Sequence, residues 1–333
     1  MTPLEAAIAA GETAWGVSRP NPPVGAAIVV DEAVVATGAT SPVGGPHAEI
    51  NALTAARTQG VDVRGATMYV TLEPCNSVGR TPPCSHALVA AGLSRVVYLN
   101  ADPNPAMAGG ATYLREHGVE VAVQPTPVAA LTPWLAAQRL GRPQITVKLA
   151  QTLDGFAAAS DGSSQWITSE VARTHVHRDR SHRDAIIVGT GTVLADNPQL
   201  TARRRDGSLY PTQPVRIVLG TRPLPPHLTL ATPDGTSIVH VASIDELLAR
   251  ARENQWVDLL VEGGPHTLSS FFAADLVDVV DAYVAPALLG GGRSVLAAPF
   301  GTTLASIRRF VHREITPLGP DVLLTLTDPE RNQ

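Results

Sequence analysis

Apolar and polar positions change period repeatedly along the first half of the chain, and each change predicts an element. Residues 4–14 carry apolar side chains at helical spacing and read as an amphipathic helix. The unbroken run Gly25-Ala26-Ala27-Ile28-Val29-Val30 reads as a buried strand, with Val34-Val35-Ala36-Thr37 as its hairpin partner. A helix is predicted after His47 from Ile50, Ala52, Leu53, Ala55 and Ala56. It is followed by a strand over 66–72, a helix over 85–91, a strand over 95–99, a helix over 110–117 and a strand over 119–123. Strands separated by helical runs of this length predict a layered α/β domain. Gln124-Pro125-Thr126-Pro127 breaks the alternation, 131–140 reads as a connecting helix, and Gly141-Arg142-Pro143 ends it. A second alternating series begins with a strand at 144–149 and continues with strands at 185–189, 215–219, 258–262 and 279–284. At 333 residues the chain exceeds the roughly 250–300 at which single cores stop growing, so two domains are expected, 1–143 and 144–333.

The candidate chemistry of the first domain sits at His47-Ala48-Glu49, with Pro74-Cys75 beginning 27 residues after His47 and Cys84 nine residues after Cys75. One His and two Cys can hold Zn²⁺ while leaving a fourth position for water, whose pKa then falls to about 7. Glu49 is then the proton shuttle rather than a ligand, as in zinc deaminases that replace a ring amino group by oxygen. The pattern places His47 and Glu49 in a helix's first turn and Cys75 just past a strand's end. Cys75 and Cys84 are the only two cysteines in the chain. A disulfide, a pair of buried thiols, or a structural zinc with His86 as fourth ligand are the alternatives. Low cysteine usage and an N-terminus without a basic, then apolar, leader argue against an oxidising compartment.

In the second domain, Glu262-Gly263-Gly264-Pro265-His266 closes a strand and opens a helix, and Gly189-Thr190-Gly191-Thr192 repeats that arrangement. Either is a tight turn or a loop that lets a phosphate approach the backbone. Neither has the Gly-x-Gly-x-x-Gly spacing of a Rossmann turn. Arg173, Arg178, Arg180, Arg183 and Arg203-Arg204-Arg205 read as solvated surface or as phosphate-binding forks. His175, His177 and His182 lie on a polar helix without a thiol, which favours surface or structural histidines over a metal site. A net charge of −5 with 17% charged residues gives no sign of nucleic-acid binding. No apolar run approaches the ~18 residues of a membrane span. A cytoplasmic enzyme acting on a small molecule is the expectation.

Several motifs in one order resemble the bifunctional deaminase/reductase family of riboflavin biosynthesis. In the first half they are Asn21-Pro22-Pro23-Val24-Gly25, His47-Ala48-Glu49, Thr71-Leu72-Glu73-Pro74-Cys75, Gly79-Arg80-Thr81-Pro82-Pro83-Cys84 and Asp102-Pro103-Asn104-Pro105. In the second half they are Leu153-Asp154-Gly155, Ser164-Gln165-Trp166-Ile167-Thr168, Gly191 to Pro198, Glu262-Gly263-Gly264 and Gly319-Pro320-Asp321-Val322. The resemblance spans nearly the whole chain. It implies a cytidine-deaminase-like three-layer α/β/α domain followed by a dihydrofolate-reductase-like α/β domain. It further implies zinc on His47, Cys75 and Cys84, proton transfer by Glu49, and deaminase-substrate contacts from Asn21, Arg80 and Thr81. For NADPH it implies Ala150, Trp166, Thr192, Asp196, Gly264, Pro265, His266, Thr267, Leu268, Ser269 and Ser270. For the reductase substrate it implies Lys148, Ser164, Arg180, Leu200, Arg203 and Glu262. The implied substrate is a pyrimidine ribotide, deaminated and then reduced from ribosyl to ribityl, in a homo-oligomer (dimer or tetramer). Thr40 and Ser77 stand where the family usually has histidines, and Phe156 where it has a basic residue. These departures leave a reductase with a weakened or retuned deaminase as one alternative. A nucleic-acid base deaminase is another, although it leaves the second half idle. A zinc-stabilised scaffold is the third.

Overall fold

A computed structural model describes all residues except 78–81, 226–229, 231–237 and 332–333. It forms two compact units, Met1–Gly141 and Arg142–Gln333.

The first unit runs α1 (Pro3–Ala14), β1 (Gly25–Val30), β2 (Ala33–Ala39), α2 (Ala48–Thr58), β3 (Thr67–Val70), α3 (Cys84–Ala90), β4 (Arg95–Tyr98), α4 (Gly110–Glu116), β5 (Glu120–Val123) and α5 (Thr132–Leu140). Its sheet order is β2-β1-β3-β4-β5. β1 is antiparallel to β2 and β3, while β3, β4 and β5 are parallel. Thr2 caps α1 through a reciprocal capping box with Glu5, the pattern that satisfies two orphan helix donors at once. Two glycines set the layer spacing. A side chain on Gly25 would collide with the Ala7 carbonyl and Gly11 of α1, and one on Gly38 with the backbone of Ala48 and Ala52 in α2. Gly25 and Ala27 share one sheet face, on which Ala27 packs with Ala6 and Ala7; Gly38 and its partner Ala26 share the other. α1 and α2 therefore sandwich the hairpin, giving three layers.

The second unit runs β6 (Gln144–Thr152), β7 (Phe156–Ala158), α6 (Glu170–His182), β8 (Ala185–Gly189), α7 (Thr190–Asp196), β9 (Val215–Leu219), β10 (Ile238–Val241), α8 (Ile244–Glu253), β11 (Asp258–Val261), α9 (Pro265–Ala273), β12 (Val279–Ala285), β13 (Arg293–Ser294), β14 (Val311–Leu318) and β15 (Asp321–Thr327). Eight strands form one sheet in the order β10-β9-β8-β11-β6-β12-β15-β14, parallel from β10 to β12 and closed by the antiparallel pair β15 and β14. Strands β8 and β11 are buried at every position, as central parallel strands covered on both faces must be. One face packs Ile145, Val147, Ile187, Leu259 and Val261 against Phe271 and Phe272 of α9; Ile186, Val188 and Val218 lie in a second cluster with Val193 of α7. Among the described residues no helix is long and apolar enough to cross a membrane.

Candidate active sites

His47 is the N-cap of α2, and Glu49 lies inside its first turn. Cys75 follows β3 by a short loop, and Cys84 opens α3. The Nδ1 of His47 stands 3.6 Å from Cys75 Sγ and 3.3 Å from Cys84 Sγ, and all three ligand atoms lie within 4.8 Å of one another. A tetrahedral zinc with nitrogen and sulfur at their usual bond lengths requires N···S edges of about 3.6 Å. The donor set therefore fits zinc. Both cysteines are free thiols, which removes the disulfide alternative. His86 is exposed and stacks on Tyr113 at 4.0 Å, and among the described residues no fourth side chain joins the cluster. The Cys84 thiol donates to Cys75, which with His47 nearby pulls Cys75 well below the usual thiol range; Cys84, as donor, is pushed up. Burial, reinforced by charge on Cys75, raises the Glu49 carboxyl to about 7.

His47, Glu49 and Cys75 open on a cavity of about 90 Å³ that also presents Asn21, Thr40, Glu73, Asp102, Met107 and Trp134. Arg80 and Thr81 lie outside the described residues. Thr40 spends its hydroxyl on the backbone of Val24, and Ser77 donates to Met107 Sδ at 2.8 Å. Sequence reasoning missed the braces. Asn51 donates to the Ala39 carbonyl at 2.7 Å and to Ser41 at 2.9 Å, fixing the loop that delivers His47. Glu73 accepts from the amides of Gly109 and Ala111 at 3.3 and 3.1 Å, tying the approach to Cys75 to the start of α4. Its sequence signal is an acid two residues before a ligand Cys.

The second unit holds a cavity of about 670 Å³ around the turn from β11 into α9. Lys148, Ala150, Ser164, Thr192, Asp196, Glu262, Ser270 and the stretch from Gly264 to Leu268 line it. Thr192 accepts from the Gly264 amide at 3.0 Å, and Thr267 fills the space beside Gly189 and Gly263, so the two glycine turns interlock. Glu262 is gripped by Arg180 through two bonds of 2.7 and 2.9 Å and by Lys148 at 3.5 Å. Burial alone would raise the Glu262 carboxyl, but Arg180 and Lys148 outweigh it and hold it at about 2. Arg180 therefore stands behind Glu262 rather than on the cavity wall. His177 contacts the Thr201 carbonyl at 2.9 Å and lies 3.5 Å from both Arg180 and Arg203. Desolvation beside those cations lowers it to about 4.

Other residues named from the sequence fall outside the cavity lining. Trp166 is 68% exposed with the Arg173 guanidinium 4.4 Å from its ring centre. Leu200 is 5% exposed in the core beside Val193, Arg203 bonds Gln199, and Ser269 accepts from the amides of Ala297 and Ala298. Phe156 sits in β7, its amide bonded to Thr152. His175 bonds the Tyr283 hydroxyl at 2.9 Å, a structural contact. Arg222 and Arg293, not anticipated from sequence, line the cavity.

Residues 2–100 match the family model of the cytidine and deoxycytidylate deaminase zinc-binding region, and residues 143–324 that of the RibD C-terminal domain. The riboflavin biosynthesis protein RibD of Corynebacterium ammoniagenes is 49% identical over 95% of this chain and 94% of its own. That of Escherichia coli is 38% identical over 93% and 94%. Among solved structures, Acinetobacter baumannii RibD superposes with a TM-score of 0.85 at 34% identity, covering 98% of this chain and 97% of its own. A Thermotoga maritima diaminohydroxyphosphoribosylaminopyrimidine deaminase/5-amino-6-(5-phosphoribosylamino)uracil reductase also gives 0.85, at 31% identity with coverage of 98% and 97%. A zinc-binding deaminase domain joined to a reductase domain defines a two-activity enzyme, both hydrolase and oxidoreductase. The chain belongs to the RibD family of riboflavin biosynthesis proteins.

Proposed function

We propose that residues 1–143 hydrolyse the 2-amino group of 2,5-diamino-6-ribosylamino-4(3H)-pyrimidinone 5′-phosphate, and that residues 144–333 use NADPH to reduce the ribosyl group of the product to ribityl. The observation that carries the first half is the convergence of His47, Cys75 and Cys84 with zinc-like spacing beside a buried Glu49. His47, Cys75 and Cys84 would hold the ion. When bound, zinc would acidify the water that attacks the ring carbon. Glu49, buried beside the three ligands, takes a proton from the attacking water and delivers it to the departing nitrogen as the C–N bond breaks and ammonia leaves. Asn21 and Asp102 present polar groups to the pyrimidine from the cavity wall.

For the second half, the interlocked glycine turns, Thr192 and Asp196 would hold the dinucleotide. NADPH, when bound, supplies the hydride. Lys148 and Glu262 would face the ribosyl group, where the C1′–O4′ bond breaks, the Lys148 ammonium gives a proton to O4′, and C1′, left double-bonded to the ring-attached nitrogen, is the carbon that is reduced. A phosphorylated dinucleotide is supported over NADH by Arg222, which lines the cavity with its Nε 3.3 Å from Thr190 Oγ1. Ammonia release and NADPH oxidation, followed together from the diaminopyrimidine ribotide, test this function. Zinc-loaded protein releasing no ammonia would refute the first half, and no NADPH oxidation with the deaminated ribotide would refute the second.

A further inference from the structure

Arg293 occupies an unusual position on the wall of the second unit's cavity. It opens β13, a two-residue strand paired with β7 so that Arg293 faces Ala158 across the ladder. The loop before it is braced from three directions. Asp154 accepts from the amides of Leu289 and Gly290 at 3.1 and 2.7 Å. The Leu153 amide donates to the Ala287 carbonyl at 2.8 Å. Gly292, at φ +152°, passes so close to the Ala158 carbonyl that no side chain fits there. Downstream, the amide of Ala297 bonds Ser269 Oγ at 3.0 Å and the Pro265 carbonyl at 3.4 Å, so the segment runs along the first turns of α9.

The guanidinium itself lies over Gly162, where a Cβ would stand 3.0 Å from its Nη2; Gly162 has φ +91° and bears no side chain to displace it. Among the described residues the Arg293 side chain makes no hydrogen bond or ion pair. Asp161, the acid that feels its charge, accepts instead from Ser163. The cavity's other cations differ: Lys148 is committed to Glu262, and Arg222 stands by Thr190. A braced loop thus delivers an uncommitted guanidinium to a ligand-sized cavity. Such a fork matches phosphate oxygens.

We propose that Arg293 holds the pyrophosphate of the dinucleotide, a reading that rests on the assignment of this cavity to a nicotinamide cofactor. The pyrophosphate is favoured over the ribotide's phosphate because the segment carrying Arg293 is bonded to α9, directly after the Gly263–Gly264 turn. The pyrophosphate is common to NADPH and NADH, so loss of the cation weakens both.

The test is a fluorescence titration of the whole protein with NADPH, NADH and ADP-ribose, none of which requires turnover. Arg293→Met is expected to raise the Kd of all three by about tenfold, with the thermal midpoint unchanged. Arg293→Lys restores part of the loss, and Asp154→Asn, which loosens the loop, gives a smaller loss of the same kind. Weakening of NADPH alone would assign Arg293 to the extra phosphate and overturn the proposal. So would unchanged dinucleotide binding, or a loss confined to the pyrimidine ribotide. Wild-type protein that bound no dinucleotide would instead refute the underlying reading of the cavity.

Discussion

Glu49 is 4% exposed, and burial raises its carboxyl above the usual carboxylate range. That suits a group that takes and returns a proton within one turnover. Glu49→Gln keeps the shape and removes the exchange. Ammonia release is expected to fall by about 10² to 10⁴-fold, with metal analysis still finding one zinc per chain. Glu262 is held in the opposite way, as a permanent anion between Arg180 and Lys148. Arg180→Met leaves that buried charge on a single 3.5 Å contact and is expected to cost about 3–5 kcal/mol, read by urea unfolding. His177, lowered from 6.5 to about 4, binds its proton more readily in the unfolded chain. Its contribution to stability is complete above pH ~6.5 and is lost as pH falls through about 4. Thermal midpoints between pH 7 and 4 are expected to fall more steeply in the wild type than in His177→Gln. Of these residues, Glu49 was legible because its ligand neighbour is two positions away. His177 was not, because its environment comes from Thr201 and Arg203, more than twenty residues on.

At the scale of elements, periodicity revealed most of the central strands and missed β10, β14, the interior strand β15 and the helix α8. The hairpin of β1 and β2, the helix after His47 and the central strands are continuous or regularly spaced apolar runs, which is the signal burial leaves. β14 reads Val-His-Arg-Glu-Ile-Thr-Pro-Leu and is exposed at most positions, so its sequence carries no alternation to find. β10 is a short strand at the sheet edge, with Ile238 and His240 exposed, and was missed for the same reason. Long-range braces are equally silent in sequence. Glu73 joins the loop after β3 to the start of α4, and a side chain on Gly110 would collide with the Pro74 carbonyl, so α4 presses directly on the segment leading to Cys75. Glu73→Ala strands the amides of Gly109 and Ala111 and is expected to cost about 1–3 kcal/mol. Faster zinc loss to a chelator, compared with the wild type, checks it.

For the whole molecule, the candidate zinc ligands and the large cavity fall in different units, and the two chemistries need different cofactors. Zinc removal with a chelator is expected to abolish ammonia release while leaving NADPH oxidation intact when the already deaminated ribotide is supplied. Supplied with the diaminopyrimidine ribotide, the same metal-free protein should oxidise no NADPH, because the second unit waits on the first. A coupled assay with both ribotides separates these outcomes. The two-unit organisation was legible from a proline-rich break and a restart of alternation. In the second cavity the glycine turns marked part of the lining, and the family resemblance supplied Lys148, Ala150, Ser164, Asp196 and Ser270; Arg222 and Arg293 arrive from segments whose local sequence carries no sign of a ligand.

The glycines that let α1 and α2 press on the hairpin also restrict its register. Sliding β1 past β2 by one residue would turn every side chain to the wrong face. Sliding by two would bring Ala36 or Thr40 to the place of Gly38, where a side chain strikes the backbone of α2. A hairpin paired two residues out of register therefore cannot seat α2 at this spacing. The arrangement that survives fixes the two ends of the hairpin, so that Asn21 before β1 and His47 after β2 arrive beside the same small cavity. Steric selection against wrong pairings, exerted by side chains that are missing, thus assembles the first catalytic site.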